Sequence, residues 1–197
     1  MSTQAIGAVV VDRWASKAEV RNAVLVFGLT IVTALSAQVT IPLPFTPVPL
    51  TLQTLAVLAG AAALGPVRAT LAQGLYIALA ILGMPVLAPQ TDGSHTIGQA
   101  VLSLPTLGYL VGFVIASFVV GKIAQRGVTQ SHVQTALAYV AGSAIIYVLG
   151  ATWLAHAINV SASKALEYGV TPFLTGDLVK ALAAGALLPT LWKLVRD

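Results

Sequence analysis

The 197-residue chain contains no cysteine, which removes disulfide scaffolds and thiolate chemistry from the argument and leaves the redox compartment open. Charge is scarce too: Asp, Glu, Lys and Arg make up 8% of the residues, against roughly 25% in an ordinary soluble domain. With 57% hydrophobic residues and a mean hydropathy of +0.91, a soluble core of this size could not hide the apolar surface. The composition therefore specifies an integral membrane protein. Three histidines, His95, His132 and His156, show no ligand spacing among themselves or with acids, which argues against a metal site. No Gly-x-Ser-x-Gly elbow occurs, and Ser103, Ser143 and Thr152 have no base placed to activate them. Gly121-Lys122 is followed by Ile123 and lacks the earlier glycine of a phosphate-binding loop. The chain is read as a non-enzyme with no cofactor and no ATPase of its own.

What remains is a set of long apolar segments. Spans of about 20 residues each allow about six across this length and leave no room for a separate soluble domain. They are placed at about Asn22–Val39, Leu50–Leu64, Ala69–Leu82, Thr106–Ala124, Val133–Ile158 and Phe173–Leu194. Residues 1–20 are expected to be a tail or interfacial helix, because the apolar patch Ala5–Val11 precedes the basic residues instead of following them as in a signal peptide. Residues 21–197 form the membrane domain. The net charge of +4 and pI near 9.6 could suggest nucleic acid in a soluble protein. In a membrane chain the excess is read as topology, with no nucleic acid involved. Arg13, Lys17, Arg21, Arg68, Lys122, Arg126, Lys193 and Arg196 all fall on one side of a six-span arrangement, and Lys164 lies in a loop on the other. By the positive-inside rule both termini are cytoplasmic. The predicted fold is thus all-α: six transmembrane helices in a compact bundle embedded in lipid.

Between the first two spans runs Gln38–Thr54, an uncharged stretch carrying Pro42, Pro44, Pro47 and Pro49. Proline has no donor N–H and a fixed φ, so the segment cannot be a continuous helix and must be an extended hinge. Its Ile41, Leu43, Phe45 and Val48 do not suit a solvated turn. Such backbone is expected to be buried in protein or to line a cavity, together with the outer loops around Pro89–Gln99 and Asn159–Thr171. Small residues recur at helical spacing at Thr30 and Ala34, Gly108, Gly112 and Ala116, Ala138 and Gly142, and Ala181 and Gly185. These stripes let helices approach closely in lipid or dock a second membrane protein. Thr30, Ala34 and Ala37 are the candidate docking surface.

Asp177 and Lys180 are the informative charges. At spacing i, i+3 they share one helix face about a turn inside the outer end of the last span. An ionisable group in a membrane helix costs on the order of 2.5–3.5 kcal/mol on insertion scales, so such groups usually face a cavity with a function. A carboxylate accepts N–H bonds from an amide or ureido group, and an ammonium attracts a carboxylate or carbonyl oxygen. The pair suits a small polar ligand with donors and an anionic end. Gln53, Gln73 and Tyr76 either line the cavity or bond between helices, and packing is expected for the last two.

The run A-L-S-A-Q-V-T-I-P-L-P-F-T-P-V-P-L-T-L-Q-T-L-A-V-L at 34–58 is followed in order by L-G-P at 64–66, G-M-P-V at 83–86 and P-T-L-G-Y-L-V-G-F at 105–113. Y-V-L-G-A-T-W-L-A at 147–155 and G-D-L-V-K-A at 176–181 complete the series. In these motifs the chain resembles BioY, the biotin-specific substrate-binding (S) component of energy-coupling-factor (ECF) transporters. The resemblance implies a multi-pass protein of a prokaryotic cell membrane that captures biotin from outside and works with a transmembrane coupling (T) component and cytoplasmic ATPases. It implies substrate-binding roles for Asp177 and Lys180, for Thr46, Val48 and Gln53 of the hinge, for Tyr109, and for Asp92 of a lid between the third and fourth helices. An S component for another small vitamin and a self-sufficient proton-coupled carrier are the alternatives.

Overall fold

The structure is a computed structural model describing residues 18–126 and 131–196, with side chains as far as residue 186. Arg13, Lys17, most of the 1–20 tail and the side chains of Lys193 and Arg196 lie outside the described residues.

Among the described residues, seven α-helices make up most of the chain: α1 Ala18–Gln38, α2 Gln53–Leu64, α3 Pro66–Ile81, α4 Leu107–Ala124, α5 His132–Ala157, α6 Ala162–Gly169 and α7 Leu174–Arg196. All except α6 coincide with expected spans. Among the described residues, α1, α4 and α5 are long and apolar enough to cross a membrane. The second expected span is shorter than the sequence suggested, because the hinge extends into it. Leu50–Thr51 (β2) pairs antiparallel with Thr40–Ile41 (β1), in register Thr40 with Thr51 and Ile41 with Leu50. Helix α2 then has 12 residues, about 18 Å at 1.5 Å per residue.

The breaks follow from local chemistry. Thr51 Oγ1 accepts the Gln53 N–H and so satisfies one of the free donors at the start of α2. Gly65, at φ 82°, ends α2, and Pro66 opens α3 where its missing N–H costs nothing. The segment expected as a polar turn at 159–171 contains α6. Ser161 caps it by accepting the Lys164 N–H, and Ala165 and Gly169 face inward. Its capping serine and run of helix formers were the available signals; its shortness and polarity concealed it.

Side-chain contacts define the two ends of the bundle. At one end Arg68 Nε donates to Asn22 Oδ1 at 2.9 Å, and Gly121 lies so close to Gly65 and Pro66 that a Cβ there would overlap their backbone. His132 Nδ1 lies 2.7 Å from the Gly185 carbonyl at the start of α5. At the other end Trp153 Nε1 donates to the Leu104 carbonyl at 2.8 Å, and the Tyr109 hydroxyl to the Gly169 carbonyl at 2.9 Å. The hinge, the 84–106 connection and α6 gather there.

The glycine stripe of α4 does what small residues do in lipid: Gly108 abuts Trp153 and the Leu149 carbonyl, and Gly112 abuts the Ile146 backbone. The α1 stripe is also internal, which corrects its reading as a docking surface. Thr30 is 2% and Ala37 0% exposed, and Ala34 packs on the core. The Thr30 hydroxyl donates to the Val26 carbonyl of its own helix and to the Ala72 carbonyl of α3. The outer face of α1 instead presents Val20, Val24, Phe27, Ile31 and Leu35.

Candidate functional site

A cavity of about 350 Å³ opens at the end where the hinge, the connection and α6 meet. That lies at the small end of the roughly 300–1,000 Å³ typical of small-molecule sites. The hinge forms one wall through Pro42, Leu43 and Thr46–Pro49. Its apolar residues divide: Leu43 and the buried Val48 line the cavity, whereas Ile41 and Phe45 are exposed, although this uncharged stretch was expected to be buried or to line a cavity. Thr46 fixes the loop by donating to the Tyr168 carbonyl at 2.9 Å and accepting the Val48 N–H at 3.2 Å.

The polar floor comes from α2, α5 and α7. Lys180 Nζ donates to Asp177 Oδ1, Thr54 Oγ1 and the Thr51 carbonyl, each at 2.8 Å, which accounts for all three ammonium donors. Asp177 Oδ1 also accepts the Thr54 hydroxyl at 3.0 Å, and Oδ2 accepts the Tyr147 hydroxyl at 2.7 Å. The two side chains are 10% and 7% exposed. The pair is thus internally compensated and still borders the cavity. Beside it Gln53 donates to the Tyr76 hydroxyl, which donates in turn to the Val86 carbonyl. Gln53 and Tyr76 both line the cavity, so Tyr76 does more than the packing expected of it. Gln73 serves packing, donating to Thr33 on α1.

Leu87–Thr91, within the 84–106 connection, also lines the cavity. Gln38 Nε2 reaches the Val86 and Leu87 carbonyls, and His95 Nδ1 lies 2.8 Å from the latter. Asp92 sits at the exposed tip, where Oδ1 accepts both the N–H and the hydroxyl of Ser94, with Gly93 at φ 82° completing the turn. Those two bonds, the hydroxyl first, hold its carboxyl below the usual carboxylate range. The structure therefore brings Thr46, Val48, Gln53, Tyr109, Asp177 and Lys180 to one cavity and leaves Asp92 outside it. Gln90 and Thr91, next to Asp92 and both exposed, are the polar residues of this stretch that line the cavity. Thr54 and Tyr147 were missed, since neither is charged and both act by holding Asp177. The Tyr109 hydroxyl is taken by Gly169, so its ring is what the cavity receives. Among the described residues no cluster of three or more His, Asp or Glu could hold a metal.

Apolar helices closed around a small cavity with a charged, fully hydrogen-bonded floor define a membrane protein that binds a small molecule. The sequence profile of the BioY family matches residues 10–197. The biotin transporter BioY of Thermotoga maritima is 37% identical over 154 residues, covering 78% of this chain and 86% of the relative. That of Rhizobium etli is 34% identical over 164 residues, covering 80% and 84%. The crystal structure at 2.1 Å of the S-component for biotin from an ECF-type ABC transporter superposes with a TM-score of 0.78 at 26% identity, covering 91% of this chain and 95% of that one. The chain belongs to the BioY family.

Proposed function

We propose that this chain is the S component of an ECF-type ABC transporter and captures biotin from outside a prokaryotic cell membrane. The observation that carries the reading is the cavity itself: hinge, lid and the Asp177–Lys180 pair enclose a small-molecule volume in a chain whose relatives are named biotin transporters. In this reading Asp177 offers an acceptor to ureido N–H groups and Lys180 a donor to a carbonyl or carboxylate oxygen. Gln53, Thr46 and the Val48 and Tyr109 side chains shape the walls. Helices α1–α5 and α7 form six spans with both termini cytoplasmic, which agrees with Arg68, Lys122 and Arg126 lying at the end opposite the cavity. The hinge completes the short α2 across the bilayer, since about 18 Å of helix is less than the roughly 30 Å hydrocarbon core. Transport is driven by a coupling T component and cytoplasmic ATPases.

Isothermal titration of the purified protein with a panel of vitamins tests this reading. Biotin alone should bind saturably, and a preference for another vitamin would move the chain to a different specificity. Proton-coupled carriage through Asp177 gains no support from a carboxylate held by Lys180 and two hydroxyls.

A further inference from the structure

The last carbonyls of a helix lack intrahelical partners. At the end of α6 two consecutive ones are taken by side chains that line the cavity: Thr46 of the hinge donates to the Tyr168 carbonyl and Tyr109 of α4 to the Gly169 carbonyl, each at 2.9 Å. Helix α6 thus holds two cavity walls while lending the cavity no side chain of its own. The Tyr109 ring is confined further. A Cβ at Gly150 of α5 would overlap its Cδ1 and Cε1, and a Cβ at Gly169 would overlap its hydroxyl oxygen, whereas the ring carbon Cζ stays 3.4 Å from that second position. Gly169 does not have a positive φ, so its backbone would accept a side chain. Space forbids one, through the tyrosine hydroxyl and a Leu154 methyl at 2.9 Å. Because Tyr109 lines the cavity, the opening left to a displaced ring is the volume a ligand needs.

We propose that Gly169 is a positioning residue: with Gly150 it seats the Tyr109 ring against α5 and α6, and so keeps open the part of the cavity that a ligand fills. In the empty protein a displaced ring can rest in the cavity. With a ligand present, ring and ligand compete for the same space. The inference rests on the ligand reading above and adds to it two residues that do not line the cavity.

The test is Gly169→Ala in wild-type and Tyr109→Phe backgrounds, each measured by biotin titration and by thermal melting without biotin. In the wild-type background the methyl meets the hydroxyl, and affinity should fall about tenfold. In the Tyr109→Phe background the clashing oxygen is gone, and adding Gly169→Ala should change affinity by less than about threefold, so the two substitutions couple. The Leu154 contact is common to both backgrounds and does not contribute to that coupling. Gly150→Ala meets ring carbons that phenylalanine keeps, and should lose about tenfold in both backgrounds. A merely structural Gly169 would lower melting equally in both backgrounds and leave affinity alone. Gly169→Ala with wild-type affinity, equal losses in the two backgrounds, or rescue of Gly150→Ala by Tyr109→Phe overturns the inference and leaves the biotin reading intact, whereas wild-type protein that does not bind biotin overturns both. If Gly169→Ala fails to fold, the crystal structure of the wild-type complex decides: a Tyr109 ring that touches biotin with its hydroxyl still on the Gly169 carbonyl upholds the seat, and a ring that has left Gly169 or does not touch biotin refutes it.

Discussion

Replacing Lys180 with methionine removes the ammonium and keeps most of the side-chain volume, so the result reads charge and not a cavity. Three 2.8 Å hydrogen bonds disappear at once, and Asp177 keeps only the Thr54 and Tyr147 hydroxyls. With the side chains of the pair 10% and 7% exposed, stranding one partner belongs to the regime that costs about 3–5 kcal/mol. For a chain of this size each kilocalorie moves the midpoint by about 2–4 °C, so the variant should melt roughly 6–20 °C lower in detergent. Lys180→Met combined with Asp177→Asn removes both charges and leaves an amide between the two hydroxyls. It should regain most of that loss, giving a coupling on the order of 2–3 kcal/mol in a double-mutant cycle. Biotin affinity should fall about 10- to 150-fold in the single variant through loss of a charged hydrogen bond, and should not return in the double variant. A single variant that melts like wild type, or a double variant whose losses simply add, would show that the buried pair is not what holds α7 to α2.

Asp92→Asn should leave biotin affinity within about threefold, because the carboxylate closes its own turn outside the cavity; a tenfold loss by titration would place it in the site after all. Since the folded carboxyl lies below the ordinary range, any support it gives the lid turn is present at neutral pH and is lost only as pH falls through the lowered value. Binding measured from pH 6 to 8 should therefore show no transition from this group. Gly121→Ala should destabilise by about 1–3 kcal/mol, because its methyl would meet the backbone of Gly65 and Pro66 and not a movable side chain. Gly74→Ala, with nothing within 4 Å, is the paired control and should be neutral or stabilising by roughly 0.5–1 kcal/mol; thermal melts of the two should diverge in sign. Tyr109→Phe should lower stability by about 1–3 kcal/mol by orphaning the Gly169 carbonyl, with affinity changed less than threefold because the ring remains.

The large features were legible because lipid imposes simple rules. Helices α1, α4 and α5 lie within a few residues of their expected positions, since long apolar runs admit one reading. Four prolines announced the hinge, and the i, i+3 spacing of Asp177 and Lys180 announced the charged floor. Other features depended on information that spacing does not carry. Which of Ile41, Leu43, Phe45 and Val48 face the cavity depends on the turn closed by the Thr46 N–H on the Leu43 carbonyl as well as on the two-residue ladder of Thr40–Ile41 with Leu50–Thr51, and neither can be read from prolines alone. A stripe of small residues says that something packs closely but not what, so Thr30 and Ala37 were assigned to a partner when α3 was already there. Asp92 was named through its place in the lid that the resemblance implies, but an aspartate two residues before a serine, with a glycine between them, is equally a turn former. Thr54 and Tyr147 became visible only once α2 and α5 were brought against α7.

The mutual cancellation of Asp177 and Lys180 has an electrical consequence. A binding chamber whose own walls sum to zero contributes no net charge of its own to the transmembrane field. An anionic passenger supplies that charge, at about 2.3 kcal/mol per elementary charge for each 100 mV crossed.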